Sequence, residues 1–167
     1  DVYKRQPPIG HTCTCTCTPE RKATMPSQPD TLDLVPDAHA VASAMQWIEA
    51  IAERDTWSPK LSFGLSLSLD EALTNIVSYA FDDPLLAPDP ARVSLACRQD
   101  GEWISLEIID NGRPYDPTQT PPPPLAATLD DAEIGGHGVR LMQHYLHDLR
   151  YERHGDENRL TLIMRAA

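Results

Sequence analysis

Three residues recur at four-residue steps in "SLDEALTNIVSYAF": Glu71, Asn75 and Tyr79. On a helix turning about 100° per residue they share one stripe, set roughly 110° from the centre of an apolar stripe. That apolar stripe is Leu65, Leu69, Leu73, Ile76 and Ala80. An amide oxygen such as that of Asn75 can complete a Mg²⁺ shell, because Mg²⁺ takes few protein ligands and leaves the rest to phosphate and water. A carboxylate one turn earlier, Glu71, can orient or deprotonate a hydroxyl nucleophile. The bland reading of the same stripe is the solvated flank of an amphipathic helix.

A second group stands in "LEIIDNGRPYDP" (106–117), where an alternating apolar run breaks into Asp110, Asn111 and Gly112. Strand ends carry polar turn residues routinely, so Asp110 and Gly112 read either as a loop or as groups facing a ligand. A third group is "IGGHGVRLM", with Gly135, Gly136 and Gly138 just before a helical pattern. Glycine permits close backbone approach, and a helix N-terminus favours anions. The Gly-x-x-x-x-Gly-Lys-Ser/Thr phosphate loop is absent, and the glycines follow a long connection instead of a strand, which excludes a Rossmann reading.

The elements that must position these groups are legible as alternating periods. "TLDLVP" reads as a short strand with Leu32 and Leu34 on one face. Pro36 and Asp37 open a helix with apolar Val41, Ala44, Met45, Ile48 and Ile51. Ser58 and Pro59 are an N-cap and first-turn pair for a second helix reaching to about Phe81. "RVSLACRQ" and "EWISLEII" alternate as a hairpin about Asp100-Gly101. After a long connection comes a third helix, then "DLRYERH" and "NRLTLIMR", joined through Gly155-Asp156-Glu157. The order β-α-α-β-β-lid-α-β-β predicts an α+β two-layer sandwich, its sheet mixed but mostly antiparallel, with helices on one face. One domain is expected over residues 25–167, with a lid over roughly 111–134, a connection long enough to be functional.

The chain carries 25 acidic and 14 basic residues in 167, a formal charge of −11, which argues against direct nucleic-acid or anionic-membrane binding. It leaves phosphate-bearing small ligands open, since backbone N–H groups and a metal ion can hold them. No apolar run approaches the ~20 residues of a membrane span, and no apolar leader is seen, so a soluble cytoplasmic protein is expected. Cys13, Cys15 and Cys17 lack a second Cys/His cluster to complete a metal site. Residues 1–24 instead resemble a translated adapter and nucleotide repeat, a non-native or disordered tail, with Met25 the expected start. Cys97 reads as a small buried hydrophobe. His137, His144 and His147 read as surface or lid residues.

In combination, Glu-x-x-x-Asn on a helix, Asp-x-Gly after a strand, a long loop and Gly-x-Gly before a helix resemble the Bergerat-type ATP-binding domain. That domain is shared by gyrase, the MutL proteins, heat-shock chaperone ATPases and histidine kinases. "LSLDEALTNIVSYAF" resembles its N box, "IIDNGRPYDP" its first glycine box and "GGHGVRLM" its second, over Thr31 to Arg165. Within it, the chain resembles the small, stand-alone branch of bacterial anti-sigma-factor serine/threonine kinases.

The resemblance implies a kinase using ATP and Mg²⁺. Asp110 would accept the adenine amino group, Gly112 would let the base approach the backbone, and Thr161 would support adenine through a hydroxyl or water. Asn75 would ligate Mg²⁺, Gly136 and Gly138 would cradle phosphates, and Glu71 would be the general base. Expected partners are an anti-anti-sigma protein substrate and a sigma factor, with a possible homodimer through the first strand and helix. Tyr79 stands where this branch commonly has His. The lid from Thr118 to Ile134 has no Lys or Arg, leaving Arg113 and Arg140 beside it. Two alternatives stay open: an ATP-binding regulatory module with little or no phosphoryl transfer, and a detached ATPase domain of a sensor or phosphatase system.

Overall fold

Alternation along the strands builds the core. In β3 (Trp103–Asp110) the side chains of Ile104, Leu106 and Ile108 are fully buried, while Ser105, Glu107 and Ile109 between them are half-buried. The same period buries Val93, Leu95 and Cys97 of β2 (Val93–Asp100) and Leu160, Leu162 and Met164 of β5 (Glu157–Arg165). These come from a computed structural model that describes residues 28–83, 88–119 and 137–166. The expected tail of 1–24, most of the expected lid, Gly135 and Gly136 lie outside the described residues.

With β1 (Asp30–Leu34) and β4 (Asp148–His154), the strands form one sheet in the order β1-β2-β3-β5-β4. All four pairings are antiparallel, so the sheet is antiparallel throughout where a mixed one was allowed for. Three helices, α1 (Ala40–Arg54), α2 (Pro59–Asn75) and α3 (His137–Tyr145), join its inward face in a single hydrophobic cluster. This is the two-layer α+β sandwich. Cys97 belongs to that cluster, and burial pushes its thiol up to about 12.

Two helix boundaries differ from expectation. The Asp37 carboxylate accepts from the His39 N–H at 2.7 Å and its carbonyl from Ala40 N–H at 3.2 Å. This turn competes with helix, and α1 starts at Ala40 instead of Pro36. Helix α2 opens as expected, with Ser58 Oγ accepting from Leu61 N–H at 3.3 Å and Pro59 in the first turn. It does not run regularly to Phe81. After Asn75 it widens into one π-helical turn, Ile76–Ala80, of the kind often found at functional sites.

The α2 and α3 helices run antiparallel, Gly138 lying beside Glu71 and Tyr145 over Gly64. At the other end of the layer, Arg54 closes α1 onto β1 with two 2.7 Å bonds to the Asp30 carboxylate. That guanidinium holds the Asp30 carboxyl below the usual range.

Candidate active site

Period two decides where Asp110 points. It is the last residue of β3, in phase with Ile104, Leu106 and Ile108, so its carboxylate faces the helix layer and is only 5% exposed. It opens into a cavity of about 680 Å³, within the range of small-molecule sites. Glu71, Asn75 and Tyr79 line the same cavity from α2 and its π turn, and Gly138, Val139 and Met142 from α3. Leu160, Ala72 and Ile76 supply apolar wall, and the segment 113–117 forms one rim.

Burial raises the Asp110 pKa, opposed by a hydrogen bond from Asn158, by the Gly112 N–H and by the charge of Arg153. Both donors meet one oxygen: Oδ1 accepts from Asn158 Nδ2 at 2.8 Å and from Gly112 N at 2.9 Å. Asn158 stands directly opposite Asp110 in the β3–β5 register, and Arg153 opposite Asn158 in the β4–β5 register. A polar row thus crosses three strands at the cavity's edge. Asn158 is 3% exposed and was missed by the sequence reading. Its signal was there: it lies in phase with Leu160, Leu162 and Met164, a polar side chain at a core position.

Three expected site residues need comment. Thr161 is corrected. It lies between Leu160 and Leu162 on β5, so it projects from the opposite face of the sheet, in the rows of Glu107 and Arg150, and does not line the cavity. Gly112 is buried, and packing by itself requires a glycine there: a Cβ would stand 2.6 Å from Ala80 Cβ and 2.7 Å from Ala80 O. Its missing side chain admits the π turn. Gly136 lies outside the described residues. Gly138, by contrast, borders the cavity, and a Cβ on it would overlap Glu71 Oε2.

Tyr79 sits at the cavity mouth and is 63% exposed. Arg113 also borders the cavity, with its guanidinium donating to Tyr79 O at 2.8 Å and paired with Asp82 at 2.9 Å. It closes the end of the π turn, whose carbonyls carry partial negative charge.

A cavity roofed by helices, holding a buried carboxylate, a helix-borne Glu-x-x-x-Asn pair and a glycine-lined helix start, defines a nucleotide-binding ATPase domain. The model of the histidine kinase-like ATPase domain matches residues 34–164, and the chain belongs to that family. It is 50% identical over 143 residues to the serine/threonine-protein kinase BtrW of Bordetella bronchiseptica, covering 86% of this chain and 98% of that one. This similarity groups the chain with the serine/threonine kinases of the family. The crystal structure of the RsbU and RsbW domains of Rv1364c from Mycobacterium tuberculosis shares the fold, with a TM-score of 0.59 at 13% identity. That match covers 83% of this chain and 32% of the longer one. No helix among the described residues is long and apolar enough to cross a membrane.

Proposed function

We propose that the chain is a cytoplasmic Mg·ATP-dependent serine/threonine protein kinase that acts as an anti-sigma regulatory factor by partner switching. It phosphorylates a small anti-anti-sigma protein and, when that partner is unavailable, holds a sigma factor. The observation that carries this reading is the convergence of Glu71, Asn75, Asp110 and Gly138 on one cavity. The residues fit the nucleotide: Asp110 keeps Oδ2 without a partner among the described residues, and Gly138, lacking a side chain, lets the Glu71 carboxylate stand against the start of α3 at the cavity's edge.

In this mechanism Asp110 Oδ2 would accept a hydrogen bond from the amino N–H of adenine, and Leu160, Val139 and Met142 would exclude water from the base. Asn75 would hold Mg²⁺ through its amide oxygen, and the ion would supply charge neutralisation at the phosphates. Gly138 would let the start of α3 approach the phosphates. Bound ATP supplies the phosphoryl group. Glu71 orients the substrate hydroxyl and takes its proton. The test is transfer of label from radiolabelled ATP to an anti-anti-sigma protein, with Asp110→Asn as the control expected to abolish it.

The engagement of Arg113 by Asp82 and Tyr79 favours a second reading, a nucleotide-gated binding module without useful transfer. A wild-type chain that binds ATP and the partner but leaves it unlabelled selects that reading.

A further inference from the structure

We propose that Asn158 is a positioning residue that reserves one oxygen of Asp110 for a 6-aminopurine, and so sets the preference of the site for adenine over 6-oxopurine nucleotides. The inference rests on the ATP-binding reading above and deepens it.

Asn158 is saturated within the protein. Its two Nδ2 hydrogens serve three acceptors, Asp110 Oδ1 at 2.8 Å, Arg113 O at 3.0 Å and Gly112 O at 3.2 Å, one hydrogen being shared. Its Oδ1 accepts from Arg153 Nη1 at 2.6 Å and Tyr151 OH at 2.8 Å. An amide has two N–H donors and one carbonyl, so nothing is left to offer a ligand. Although Asn158 lines the cavity, it acts through its neighbours. It ties the tip of the Asp110–Arg113 loop to β5, and it occupies Asp110 Oδ1 so that Oδ2 is the oxygen turned to the ligand.

The protonation state of that oxygen decides which base is read. An ionised carboxylate only accepts, which suits the 6-amino group and repels the lone pairs of a 6-oxo group. A protonated carboxyl donates, and would suit the 6-oxo group instead. Burial favours the protonated form of Asp110, and the Asn158 donor opposes it. Other charged or titratable groups around the site, among the described residues, are Arg153 and Tyr151 from β4, Glu71 and Tyr79 from α2 and its π turn, and Arg113 and Tyr115 from the segment after β3. Among the described residues, the hydrogen bonds to the Asp110 carboxylate come from Asn158 and the Gly112 N–H.

The experiment is calorimetric titration of ATP and ITP, from mildly acidic to neutral pH, on the wild type and Asn158→Asp. The variant is isosteric and sets a second carboxyl against Asp110, so the two are expected to share a proton. The wild type should prefer ATP throughout. The variant should lose about 10- to 100-fold in ATP affinity, and its ATP:ITP ratio should fall toward unity as the pH drops. If Asn158→Asp does not fold, Asn158→Thr, which keeps one hydroxyl donor, is expected to show a smaller fall in the ratio. Equal losses for both nucleotides, with the wild-type ratio kept at every pH, would mean a merely structural role and overturn the proposal. A folded wild type that binds neither nucleotide overturns the ATP reading itself, a result read on the wild type alone.

Discussion

Glu71 and Gly138 touch across the seam between α2 and α3, so closely that a β-carbon at position 138 would overlap Glu71 Oε2. In an unconstrained helix interior Gly→Ala favours helix by about 1 kcal/mol. Here it must displace the carboxylate or the start of α3. Gly138→Ala is expected to lower phosphoryl transfer by at least about tenfold, since reacting groups tolerate little misplacement. Thermal unfolding provides the check on cause. The destabilisation of Gly138→Ala should disappear in a Glu71→Ala background, where the atoms it strikes are gone.

Glu71→Gln keeps the shape and hydrogen-bonding reach of the side chain but removes its basicity. ATP affinity should be unchanged while kcat falls by about 100- to 10,000-fold, the span ascribed to general bases. Transfer at the wild-type rate would remove Glu71 from the role of base.

Gly112→Ala tests why that glycine is there. Its Cβ would meet both the side chain and the carbonyl of Ala80, at 2.6 and 2.7 Å. The expected cost is about 1–3 kcal/mol, seen as a lower urea midpoint at unchanged slope. Adding Ala80→Gly should recover only part of it, because the carbonyl remains. Full stability with nucleotide binding lost would restore the ligand-approach explanation.

Asp110→Asn should separate stability from function. The folded Asp110 holds its proton more tightly than the unfolded chain, whose ordinary value is 3.8. Its contribution to stability is therefore full below pH 3.8 and is lost as pH rises through the folded value. The variant, uncharged throughout, should be more stable than wild type at neutral pH, with the gap narrowing as pH falls toward 3.8. It should bind no ATP. Urea melts across pH, together with calorimetry, test both halves.

Thr161→Val changes a hydroxyl on the sheet face turned away from the cavity. ATP affinity should be unaltered. A marked loss would return Thr161 to the site.

Local rules reached far in this chain. Alternation in "EWISLEIID" buries Asp110, the Ser58-Pro59 pair starts α2, and the four-residue step puts Glu71, Asn75 and Tyr79 along one cavity. The same alternation in "NRLTLIMR" already separates Thr161 from Leu160 and Leu162, so that residue was misplaced against a signal the sequence contained. What local pattern could not supply was register. Asp110 and Asn158 are 48 residues apart, and only the pairing of β3 with β5 sets them opposite one another. Nor could it supply the π turn and its contact with Gly112, or the approach of Gly138 to Glu71. Propensity and period act within a few residues of the chain. Which buried carboxylate meets which amide, and which glycine makes room for which carbonyl, depends on how distant elements pack, and that was decided by the tertiary structure alone.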